Sequence, residues 1–124
     1  MSKMMEGLNK VIEELKSDLG EALLSADIWH IKDAQGLAGH NQMPKATALF
    51  NEVTRVLGKT LSGSEYPGLG EYYTVHLDNN SMVIVLLFND YQLGMTVDLS
   101  KTTMGLLMSV VMPKIQKMLE EALS

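Results

Sequence analysis

Three histidines, a set of aspartates in or beside strand-like stretches and one Gly-Lys-Thr triplet are the residues of this chain that could do chemistry. Imidazoles ligate metals. Carboxylates brought together on adjacent strands raise one another's pKa and serve acid–base work. Gly-Lys-Thr closes the loop that cradles nucleotide phosphates. Neither the histidines nor the triplet is spaced for that chemistry, and the aspartates lack the partners it needs. His30, His40 and His76 fall in separate strand-like stretches with no H-x-x-x-H spacing, so they read as ordinary sheet histidines. Asp78 and Asp90 sit where turns need a side chain that bonds its own backbone. Asp27 and Asp98 lie on polar strand faces that neighbouring strands could bring together, yet no nucleophile or second base accompanies them. Gly58-Lys59-Thr60 has Val53 where the phosphate loop needs its first glycine, and it ends a helix instead of following a strand. Cysteine is absent, which removes disulfides and thiolate metal sites. The expectation is a non-enzymatic interaction module without cofactor or resident metal.

Charge and length narrow the partners. The formal net charge is −5, and the single arginine, Arg55, stands against nine lysines that gather on no one face, unlike the basic patch of a nucleic-acid binder. The longest apolar run, 82–88, is far short of a membrane span. Residues 1–10 are charged and amphipathic with no apolar run behind them, unlike a signal peptide. A cytoplasmic chain with no membrane insertion is expected. Its 124 residues suit one domain, 1–124, large enough to bury a core without staples.

The elements that must position these residues centre on 71–99. EYYTVHLD, SMVIVLLF and YQLGMTVDL read as three strands, joined by Asn79-Asn80 and Asn89-Asp90, residues that tolerate the φ > 0 of tight hairpins. The middle strand is apolar on both faces, so both must be covered. Ahead of the meander, Leu8, Val11, Ile12, Leu15 and Leu19 recur at helical spacing over 3–19. Residues 21–31 read as a strand with apolar atoms on both faces, 32–36 as a turn in which Gly36 supplies φ > 0, and 37–40 as a short returning strand. Residues 44–62 read as a helix opened by Pro44 in its first turn. Its stripe of Ala46, Leu49, Phe50, Val53, Val56, Leu57 and Leu61 is wide enough for two surfaces, the sheet and something outside it. A Gly/Ser-rich loop covers 62–70. Residues 102–123 form a closing helix with methionines at 104, 108 and 112, and Pro113 should kink or split it. The class is α+β: a five-stranded antiparallel sheet with helices on both faces, in the order α-β-β-α-β-β-β-α.

That order, with Asp33-Ala34-Gln35-Gly36-Leu37-Ala38 as its D-x-x-G-L-A-like segment, resembles the roadblock/dynein light chain family over about residues 4–122. The resemblance implies a profilin-like fold, in which the strands of His30 and His76 are not neighbours. It implies a homodimer or heterodimer in which the middle helices pair and the sheets join through the third strand. The residues so implicated are Leu49, Phe50, Val53, Val56 and Leu57 on the helix, and Tyr72, Tyr73 and Val75 on the strand. Members of that family scaffold or regulate small Ras-like GTPases, or serve as light chains, without being enzymes. Pro113 and the methionine-rich face depart from better-known members. The alternative function is a small-ligand sensor, which needs a cavity with convergent polar groups where the middle helix stands off the sheet.

Overall fold

The computed structural model describes residues 2–124. Helix α1 (Lys3–Leu19) starts where the Ser2 hydroxyl accepts from the Met5 N–H at 3.1 Å, satisfying one donor that the first turn leaves open. It ends at Gly20, whose φ of 54° few other residues adopt. A 3₁₀ turn, Gly20–Ala22, leads into β1 (Leu23–His30), so the first strand is shorter than its apolar pattern suggests. Then come β2 (Gly36–His40), α2 (Pro44–Ser62), β3 (Tyr72–His76), β4 (Ser81–Phe88) and β5 (Tyr91–Asp98). The closing helix runs as α3 (Met104–Leu106), a π-helical turn at Leu107–Val111, and α4 (Met112–Leu123).

One five-stranded antiparallel sheet results, in the order β2-β1-β5-β4-β3. The meander is β5-β4-β3, and β1 joins it alongside β5. The central strands are apolar on both faces because helices lie on both. On one side α1 and the closing helix bury the main core, which includes Leu8, Leu15, Ile28, Ile84, Met95 and Ile115. On the other, α2 covers only a small cluster of Trp29, Val83 and Val85, with Phe50, Tyr73 and Val75 packed against it. Each large side chain fully buried contributes about 1.5–3 kcal/mol, so most of the stabilisation lies in the α1/α4 layer. Lys114 ties that layer together, 2.6 Å from Asp18 and 3.4 Å from Glu14 across the helix pair.

Several local expectations are corrected. In the β1–β2 turn the residue with φ > 0 is Ala34 (56°), not Gly36. Gly36 matters for room, since a Cβ there would stand 3.0 Å from Gln42 and 3.3 Å from the Asp27 carboxylate. Strand β3 stops at His76, so residues 77–80 form a longer connection than an Asn79-Asn80 hairpin, with φ > 0 at Asn80 (62°). Asp27 and Asp98 do not meet: Asp27 lies across from Gly94, and Asp98 across from Ser81. Asp98 instead accepts from Ser100 Oγ (2.6 Å) and the Ser100 N–H (2.9 Å), bonds that hold its carboxyl below the usual carboxylate range. Pro113 does coincide with a split in the closing helix, and the split takes the form of a widened turn, not a broken one. The turn before it widens to π geometry, with the Met112 N–H reaching the Leu107 carbonyl, and Pro113 then falls in the first turn of α4, where its missing N–H is no loss. The methionine row descends into the core, from Met104, 41% exposed, to Met112, 2% exposed.

The single tryptophan packs closely on β5. A Cβ at Gly94 would stand 2.9 Å from two ring carbons of Trp29. Gly94→Ala is therefore expected to lower the unfolding free energy by about 1–3 kcal/mol and to shift Trp29 emission in the folded state. Denaturant titration followed by fluorescence reads both.

Candidate interaction surface

Helix α2 faces the sheet with polar residues. Thr47 and Thr54 are its only buried positions, and Asn51 between them completes an i, i+4, i+7 row. Hydrogen bonds hold the helix down. Trp29 Nε1–H donates to Asn51 Oδ1 at 3.0 Å, and Asn51 Nδ2 donates to the Ile31 carbonyl at 3.0 Å. The Met43 N–H, at the start of the helix, donates to the buried Asp27 carboxylate at 3.1 Å.

Thr54 is the centre of this arrangement. Its Oγ1 stands 2.8 Å from the Phe50 carbonyl, 3.2 Å from Gln92 Oε1 and 2.7 Å from the Tyr73 hydroxyl. The carbonyl and the amide oxygen only accept, so the one Thr54 proton goes to them and Tyr73 must donate to Thr54. Burial pushes the Tyr73 phenol above its ordinary pKa.

With polar residues inward, the apolar ones turn out. Leu49 is 56% exposed and Val56 46% exposed, and half-buried Val53 lies between them at i, i+4, i+7. Phe50 and Leu57 border the same flank. The bonds from Tyr73 to Thr54 and to the Phe50 carbonyl (3.4 Å) set that flank beside β3. The opposite flank carries Asn51 and Arg55, and Asn51 reaches the chain just after β1. Strand β3 is the last in the sheet, so its outer N–H and C=O groups face no strand. An exposed apolar row thus runs beside an open sheet edge.

The residues implicated from the sequence divide three ways. Leu49, Val53, Val56 and Leu57 form the outward flank. Phe50, Tyr73 and Val75 help build the small inner cluster. Tyr72, 41% exposed, stands on the other face, because it pairs with Leu86 of the main core. Sequence reasoning missed Asn51, Thr54 and Gln92 as the groups that seat the helix; the polar row Thr47-Asn51-Thr54 was the available signal. Among the described residues no group of three or more His, Asp or Glu side chains could hold a metal, and no helix is long and apolar enough to cross a membrane.

No family model matches the chain, and no curated protein does. Solved structures do. The gliding protein MglB from Thermus thermophilus superimposes with a TM-score of 0.77 at 11% identity, over 98% of this chain and 92% of that one. A structure described as MglB with tetrameric arrangement does so at 0.70 and 13%, over 98% and 93%. A Roadblock/LC7 domain from Streptomyces avermitilis gives 0.65 at 14% identity, over 91% and 92%. Profilin IA from Acanthamoeba castellanii gives 0.55 at 14%, over 89% and 97%. The fold is the roadblock-type, profilin-like one expected from the element order.

The burial of Tyr73 carries a pH signature. A phenol whose folded pKa is raised adds stability that is complete below the unfolded value of about 10 and is lost as pH rises through the folded value. Tyr73→Phe is expected to cost about 1 kcal/mol at neutral pH through the lost bond, and to remove this residue's share of the alkaline decline. Denaturation midpoints of both proteins from pH 7 to 11 measure the difference.

Proposed function

We propose that this chain is a non-enzymatic regulatory or scaffold protein that pairs with a second copy of itself through α2 and β3 and binds a small Ras-like GTPase. The observation that carries the first half is the row Leu49-Val53-Val56 lying exposed beside the open edge of β3. A two-fold pairing sets like surface against like surface, so one operation covers both features: helix row on helix row, and edge on edge. The tetrameric arrangement of one of the MglB structures supports self-association in this fold. The GTPase partner is supported by the roadblock resemblance in the sequence together with the likeness in fold to MglB and the Roadblock/LC7 domain.

Light scattering at micromolar concentration tests the pairing. The wild type is expected at twice the 13.7 kDa chain mass. Leu49→Glu and Val56→Glu, both at exposed positions, are expected at the single mass with an unchanged unfolding midpoint at high dilution. Met104→Glu, on the other face, is expected to leave the dimer intact. A wild-type monomer, or glutamates without effect, would return the row to ordinary surface. For the second half, a Ras-like GTPase from the same genome should bind in a manner that depends on whether it carries GTP or GDP; equal or absent binding in both states would remove that assignment.

A further inference from the structure

The flank of α2 opposite the apolar row bounds an open cleft of about 720 Å3, reaching down to the end of the sheet where β1 leaves and β5 begins. Its floor is Gln92, only 7% exposed. Gln92 Oε1 takes the Thr54 proton, while its Nε2 makes no hydrogen bond within the protein. Nε2 is not sealed from solvent, so it offers the cleft an amide donor that water or a ligand can meet. Asn51, Thr54 and His30, which also line the cleft, are already bonded to the protein.

Charges of both signs stand around that floor. Arg55, the only arginine in the chain, is held by Glu52 through Nε at 3.0 Å and through a second guanidinium nitrogen, which fixes the group and leaves its remaining N–H donors open. Lys32 and Asp90 also line the cleft, and among the described residues neither has an ion-pair partner. A dianion would meet Asp90. A bare cation would meet Arg55 and Lys32. An apolar molecule would find Ile31 as the one aliphatic wall. A molecule that is neutral overall but carries one charge of each sign matches the mixed charge of this lining.

We propose that this cleft binds a small zwitterion of the α-amino-acid type, with its carboxylate toward Arg55, Lys32 and the Gln92 amide and its ammonium toward Asp90. The site lies on the flank of α2 away from the apolar row, so occupation does not require a partner copy to leave.

L-alanine is the probe, with propionate and isopropylamine as its two singly charged halves. Two signals report on the cleft: the Gln92 side-chain amide in 1H–15N spectra, and emission of Trp29, which is bonded to the cleft residue Asn51. A saturable response to L-alanine is expected, with each half binding about tenfold or more weakly. Arg55→Gln and Asp90→Asn, both surface changes, are each expected to weaken binding about tenfold, as loss of one charge-assisted contact does, with unfolding midpoints unchanged. The proposal is overturned if L-alanine gives no saturable response, if either half binds as tightly as the whole, or if the response survives both substitutions.

Discussion

The hydroxyl of Thr54, with a single proton to give and three oxygens around it, decides how the middle helix sits on its sheet. Tyr73 donates to it, and its own proton goes to Phe50 and Gln92, so that α2, β3 and β5 meet at one oxygen. Asn51 makes a second such junction, joining the Trp29 indole to the backbone beyond β1. A helix seated by oxygen and nitrogen need not commit its apolar residues to the sheet. Leu49, Val53 and Val56 are free to face outward for that reason, and the polar flank is free to leave a cleft beneath Arg55.

The two sides of the sheet are therefore held by different forces. The α1/α4 side is a large apolar core, insensitive to direction and dominated by area removed from water. The α2 side rests on a handful of hydrogen bonds, each worth about 0.5–1.5 kcal/mol net, around a three-residue apolar cluster. Directional bonds fix position well but supply little total energy. The layer least protected against local opening is thus the one that presents the row, the sheet edge and the cleft, as expected where surfaces must adapt to partners.

Much of this was legible in the chain. The stripe of α1 and the all-apolar Ser81–Phe88 strand allow only one disposition each, because an apolar face of that width must be covered. The stripe of α2 was legible as too wide, but periodicity says that apolar atoms need cover and not which cover they find. Positions 47, 51 and 54 and positions 49, 53 and 56 obey the same spacing, and only the presence of Asn51, Thr54 and Gln92 at complementary heights decides which row turns inward. Asp27 and Asp98 show the same limit. Both look polar and half-exposed on paper, but register puts one under α2 against the Met43 N–H and the other in a surface turn. The π turn before Pro113 was out of reach, since it is the neighbouring backbone, not the proline, that yields.

A fold that persists at 11% identity over nearly the whole chain is specified by its pattern of covered faces more than by any one side chain. The layer with the fewest apolar obligations, here α2 and its surroundings, is then the one freest to differ at constant fold. The two flanks of that helix do opposite things. One is apolar and continuous with an open sheet edge, so it suits a protein surface. The other is charged in both signs over an amide donor open to the cleft, so it suits a small polar molecule. A ligand spanning Arg55 and Asp90 would add contacts between α2 and the turn after β4. By stiffening the element whose other flank meets a second copy, it would change the cost of ordering that flank for pairing. Coupling of that kind is reciprocal: pairing that holds α2 still would in turn favour the ligand.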